Sequence, residues 1–173
     1  MPKVIENASE QIIKAGKDIL AEKGFDDFNM RDVAKKCQMA IGTLYNYFPS
    51  KDGLIAKILF LDWNEYLNEV NMDAESGDDL FTCLNLIFDD LVDFVLKYEE
   101  LYKKRLEISD FSYEDNSISL DLQIVISNLI KKYGYSVSDF EEAFIAEAFL
   151  FYAVRRDFSY SKLDMVIHKI IKP

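Results

Sequence analysis

The chain is poor in cysteine, proline, glycine and histidine, and each scarcity removes a class of protein. Two cysteines, Cys37 and Cys83, cannot staple a disulfide framework in 173 residues, and both are expected to act as small buried hydrophobes. One histidine, His168, with no cysteine pair at ligand spacing, gives a zinc site little to work with. A di-metal carboxylate bundle needs Glu-x-x-His, and Met165 stands three residues before the histidine. Phosphate-cradling loops of the GxxxxGK type are missing, and a nucleophile-histidine pair would have to use His168. The expectation is therefore no enzyme, no cofactor and no metal. Uncharged stretches such as Leu122 to Ile130 and Ala148 to Val154 fall short of the roughly 20 residues that span a bilayer. The opening Met-Pro-Lys-Val-Ile-Glu-Asn lacks the apolar segment of a signal peptide, so a cytoplasmic location without membrane contact is expected.

Three prolines and six glycines are too few for a sheet with many turns, while half of the residues are hydrophobic. That composition fits an all-α protein large enough for one small and one medium helical unit. The net charge of -11 is unevenly spread: residues 1 to 57 carry +1 and the remaining 116 carry -12. An acidic remainder does not exclude a polyanion partner, because a nucleic-acid footprint depends on where the lysines stand.

Apolar Ala8, Ile12, Ala15, Ile19 and Leu20 place one stripe on a helix from Glu6 to Lys23, closed by Gly24, with Phe25 and Phe28 tucked into a small core. Asn29 suits the N-cap of a helix from Met30 to Cys37. Gln38 to Ala40 form a turn, and a second short helix runs from Ile41 to Tyr47. Pro49 forbids smooth continuation, and Ser50 caps a helix from Lys51 to about Met72. Asp73 to Asp79 reads as a break, and Leu80, Leu84, Ile87, Leu91 and Val95 open a helix that is apolar on most faces and so enclosed by others. Further helices are expected at Tyr98 to Ile108, Ile118 to Tyr133, Val137 to Asp157 and Ser161 to Ile171, with a polar loop over Ser112 to Ser117 and a division at Gly134. The count is about nine.

Two short helices around a tight turn, a proline stop and a new helix with a lysine in its first turn are the parts of a helix-turn-helix reader. The stretch Phe28-Asn29-Met30-Arg31-Asp32-Val33-Ala34 through Gly42-Thr43-Leu44-Tyr45-Asn46-Tyr47-Phe48-Pro49-Ser50-Lys51-Asp52-Gly53-Leu54 resembles the TetR family of bacterial transcription regulators over about the first 55 residues. The resemblance implies a DNA-binding head over 1–50 and a helical ligand-binding and dimerisation body over 51–173. It implies DNA contacts from Asn29, Arg31, Ile41, Gly42, Thr43, Tyr45, Asn46, Tyr47 and Lys51, with Tyr47 and Lys51 on phosphate and Asn46 the candidate for a bidentate adenine contact. Tyr45 reads equally as a backbone contact or as inward packing. Gln38, Met39 and Ala40 replace the family's common Gly-Val-Ser turn, and Ala40 can neither cap the recognition helix nor bond a phosphate.

The implied function is a ligand-responsive regulator, a repressor that binds a palindromic operator in double-stranded DNA as a homodimer and is released by a small-molecule effector. The alternative is a helical ligand-binding or interaction protein whose head binds DNA weakly or not at all. For the effector pocket the candidates are Trp63, Tyr66, Phe81, Phe88, Tyr98, Tyr102, Phe111 and Phe144, aromatics suited to a flat or greasy ligand or to a cation over a ring. For the dimer interface they are Phe140, Phe144, Ala148 and Phe151, at steps of four, four and three. The last two long helices are expected to build that interface.

Overall fold

The computed structural model describes residues 7–76, 78–98, 113–155 and 158–172. Among these the chain is helical, with α1 at Ala8–Asp27, α2 at Met30–Lys36, α3 at Ile41–Tyr47, α4 at Lys51–Ser76, α5 at Leu80–Lys97, α6 at Tyr113–Lys132, α7 at Asp139–Ala153 and α8 at Tyr160–Ile170. No helix among the described residues is long and apolar enough to cross a membrane. The chain divides into two compact units, Met1–Asn64 and Glu65–Pro173. The expected helix from Tyr98 to Ile108 falls almost wholly outside the described residues, as do Tyr102 and Phe111.

Unit 1 is built on α1, α2, α3 and the first half of α4. The backbone of α1 leaves helical geometry at Gly24, whose φ of 71° suits a residue without Cβ, and one more turn follows before Phe28. Ile12, Ala15, Ile19, Phe28, Val33, Ala34, Leu44, Leu54 and Ile58 form the buried interior. Gly16 lets α1 and α4 approach closely: a Cβ there would stand 2.8 Å from Ile58 Cδ1 and 3.5 Å from Leu54 Cδ2. Across the same helix pair Lys17 forms an ion pair with Asp62, whose side chain is only 3% exposed. Through these contacts the first half of α4 completes the core of α1.

In unit 2, α5 packs against α6, α7 and α8, and α6 lies along α7. Asp79 caps α5, its carboxylate accepting the backbone N–H groups of Phe81 and Thr82 at 2.9 and 3.0 Å. Ser138 and Glu141 close a capping box at the start of α7. Phe88 meets Phe149 edge to face with centroids 5.3 Å apart, and Tyr160 from α8 packs beside both. A hydrogen-bonded chain joins α6 to α7, in which Ser127 Oγ donates to buried Glu142 Oε1 at 2.9 Å and the exposed Lys131 donates its Nζ to Ser127 Oγ at 2.7 Å. Gly134, at φ 78°, ends α6 as expected.

Two expected boundaries are corrected. The polar run over Ser112 to Ser117 does not stay a loop, since α6 begins at Tyr113, and α4 continues to Ser76 instead of stopping near Met72. In both places a polar turn extends a helix already nucleated by its apolar neighbours, and adding residues to an existing helix is far cheaper than starting one. Cys83 is buried as expected, whereas Cys37 is half-buried, with Sγ 3.5 Å from the Gln11 carbonyl oxygen.

Candidate nucleic-acid interface

The helix-turn-helix is made by local rules that work residue by residue. Asn29 Oδ1 accepts the Asp32 N–H at 2.9 Å, which starts α2. The turn then passes through Gln38 at φ 54°, left-handed backbone that a side chain adopts at a cost. Ala40 is the N-cap of α3 and supplies no side-chain hydrogen bond. On the far side Ser50 Oγ accepts the Gly53 N–H at 3.0 Å, starting α4 immediately after Pro49. We expect Gln38→Gly to stabilise unit 1 by about 0.5 to 1 kcal/mol, the relief of left-handed strain outweighing glycine's extra unfolded entropy. A urea midpoint that fell on this change would contradict the strain.

On α3 only Leu44 is buried, and Phe48 just beyond it is also buried. Ile41, Gly42, Tyr45, Asn46 and Tyr47 are exposed and Thr43 is half-buried. The structure thus gathers six of the expected contact residues on one outward helix surface. Tyr45 stands outward, so its ring adds little to the core.

The cations of unit 1 are mostly engaged within it. Lys51 Nζ donates to the Phe25 carbonyl oxygen at 2.5 Å and lies 4.4 Å from the centroid of the Phe25 ring and 5.8 Å from that of Phe28. Its ammonium has two further protons for a phosphate. Lys36 is held by Asp18 at 3.1 Å and Glu22 at 3.0 Å. Lys23 binds Asp32 at 2.6 Å, and the Asn29 side-chain amide donates to the same carboxylate at 2.7 Å. These two donors hold the Asp32 carboxyl below the usual carboxylate range. Asn29 therefore serves first as a helix cap, its oxygen and nitrogen both occupied locally. Arg31 and Lys35 remain as exposed cations on α2. The lysine pairings span 9 to 26 residues of sequence, which is why spacing alone did not reveal them.

The pocket and interface candidates lie elsewhere. Trp63 is buried and belongs to unit 1, Tyr66 to unit 2. Tyr66 Oη donates to the Ile87 carbonyl at 3.2 Å and its ring lies 5.3 Å from Phe94, which in turn lies 5.5 Å from Tyr98. Phe81 stacks on His168 with centroids 3.6 Å apart. Phe140, Phe144 and Phe151 are exposed on α7 and Ala148 is half-buried, so Phe144 stands with the outward set and away from the interior. Sequence reasoning missed Leu120 and Ile124, which are exposed on the adjacent α6.

Residues 12–58 match the family model described as bacterial regulatory proteins, tetR family. The uncharacterized HTH-type transcriptional regulator YvdT of Bacillus subtilis is 32% identical over 90 residues, 52% of this chain and 46% of that protein. The chain thus spans about half the length of the curated relatives it matches. A crystal structure of a TetR-family transcriptional regulator from Pectobacterium atrosepticum is similar at a TM-score of 0.69 and 18% identity, covering 100% of this chain and 99% of that one. The transcriptional regulator FadR from Bacillus subtilis, in complex with stearoyl-CoA, is similar at a TM-score of 0.57 and 17% identity, covering 92% of this chain and 95% of that one. With its turn, stop and outward-facing α3 in place, the first unit carries a match to the tetR family of bacterial regulatory proteins over residues 12–58.

Proposed function

We propose that the protein is a DNA-binding transcriptional regulator in the cytoplasm, a repressor that holds a palindromic operator as a homodimer and lets go when a small molecule binds. The observation that carries this reading is α3, seven residues with one buried anchor and an outward surface of neutral donors and methyl groups. Such a helix contributes little to its own fold and offers hydroxyl, amide and apolar contacts to a groove. The chemistry required is binding, with no catalytic group.

Two outward helices support dimerisation. Phe140, at 77% exposure, Phe144 and Phe151 are exposed on α7, and Leu120 and Ile124 are exposed on α6, the helix packed along it. The Lys131-Ser127-Glu142 chain, and Ser119 donating to Glu147, fix the two helices to each other. A second copy would complete a four-helix contact from α6 and α7. The final helix buries Leu163 and Ile167 in its own chain and leaves Met165 and Val166 exposed for the same contact. Two α3 helices that enter successive major grooves stand about 34 Å apart, and a palindromic operator would match the two-fold symmetry of such a dimer.

For the effector, the neighbour that holds stearoyl-CoA makes a long-chain acyl-CoA the first probe. Because α4 belongs to both units, a ligand that tilts it would change how the two heads meet their half-sites. Coupling between the sites must be reciprocal, roughly 1 to 3 kcal/mol. With stearoyl-CoA as titrant, we expect Trp63 fluorescence to change and the midpoint to rise about five-fold or more when operator is present. An equal midpoint with and without operator would rule out release by this ligand.

The second reading, a helical binder with weak or lost DNA binding, is favoured by uncapped Ala40 and by the internal pairing of Lys23 and Lys36. Gel retardation with DNA from upstream of the protein's own gene separates the two. Specific, salt-sensitive retardation supports the regulator, and its absence supports the binder.

A further inference from the structure

Resting on the DNA-reading function proposed above, we propose that α3 reads A·T base pairs, through an outermost surface formed by Gly42 and Asn46. At 3.6 residues per turn, positions two before and two after Leu44 both fall on the side of the helix opposite that buried anchor. Those positions are Gly42 and Asn46, and both are exposed. They are four apart, so they are neighbours on the helix surface. Helical side chains lean toward the N-terminus, so the Asn46 amide lies over the turn that contains Gly42.

A Cβ placed at Gly42 would meet nothing within 4 Å. Nothing inside the chain requires glycine there, although glycine costs a helix about 1 kcal/mol relative to alanine. The absent side chain instead clears the floor beneath Asn46 and lets the helix backbone approach a groove closely. The asparagine amide presents one acceptor and one donor, the complement of adenine N6–H and N7. Ile41, exposed on the first turn, and the Thr43 methyl supply apolar contact suited to the thymine methyl group.

What α3 lacks is as informative. The run Ile-Gly-Thr-Leu-Tyr-Asn-Tyr contains no arginine or lysine for bidentate contact with guanine O6 and N7, and no carboxylate to accept from cytosine N4. The single guanidinium of unit 1 is Arg31, on α2. Any guanine that unit 1 reads with an arginine is therefore read from α2 and not from the recognition helix.

Selection of binding sites from random duplex DNA tests the assignment, using the full chain and its Asn46→Ala, Gly42→Leu and Arg31→Ala variants. The wild-type protein should enrich A·T pairs at the core of each half-site. Asn46→Ala should still bind but lose roughly ten-fold of its preference at one core position. Gly42→Leu should keep its helical content and thermal transition while losing site-specific binding. Guanine preference at a flanking position should vanish in Arg31→Ala and survive in Asn46→Ala. Specific sites with a G·C core, unchanged by Asn46→Ala, would overturn the A·T assignment and leave DNA reading intact. No enrichment of any sequence by the wild-type protein would overturn both.

Discussion

Phe144→Asp should convert the protein from a dimer to a monomer at micromolar concentration and reduce operator affinity by about 100-fold or more. Phe144 is 46% exposed on α7 between Phe140 and Phe151 and lies outside the buried core, so the substitution leaves that core in place. In a two-fold contact each protomer would bring one new carboxylate to an apolar surface, and central aromatic anchors of interfaces typically contribute 2 kcal/mol or more each. Without the partner, one head must hold one half-site alone. Sedimentation velocity and an operator titration read the two effects, and a thermal transition with unchanged cooperativity shows that the fold survives. A wild-type monomer at micromolar concentration, or a Phe144→Asp dimer, would refute the proposed interface.

Lys17→Ala should destabilise unit 1 by about 3 kcal/mol, near the lower end of the cost of breaking a buried ion pair. The reason is asymmetric burial: the Asp62 carboxylate is 3% exposed while its partner is 35% exposed. Removing the lysine takes one cation away from a carboxylate in the α1–α4 contact that water reaches poorly. Lys17→Met combined with Asp62→Leu should recover most of the loss, because two apolar side chains need no desolvation of charge. Urea unfolding followed by the fluorescence of Trp63, adjacent to Asp62 and buried, reports on this contact directly. A double variant less stable than Lys17→Ala would show that the pair contributes more than the cost of its own desolvation.

How far the sequence could be read depended on the range of each interaction. The head was legible because its boundaries are set by neighbours. Asn29 bonds to Asp32 three residues on, Ser50 to Gly53, and α3 ends where Phe48 and Pro49 leave helical geometry, so Ile41–Tyr47 could be read to the residue. Ala40's missing cap was equally visible. The ends of α4 and the start of α6 were less so, because Asp73 to Ser76 and Tyr113 to Ser117 carry turn-like residues that extend helices begun elsewhere. Least visible were the long-range pairings. That Lys51 reaches the Phe25 carbonyl, that Lys36 bridges Asp18 and Glu22, and that Trp63 belongs with unit 1 depend on how α1 meets α2 and α4. Those pairings lower the head's outward positive charge. They also shift weight from lysine to the neutral surface of α3.

The most direct test of DNA recognition is an equilibrium titration of the full protein on a palindromic duplex carrying the selected half-sites, followed by fluorescence anisotropy at several salt concentrations. Two protomers should bind each duplex, a scrambled duplex should bind at least 1,000-fold more weakly, and affinity should fall linearly on logarithmic axes as salt rises. Lys51→Ala should lower that salt slope by about 1 per half-site with no change in the preferred sequence. Equal affinity for the selected and scrambled duplexes, or no binding to either at the lowest salt, would contradict the claim that α3 reads DNA.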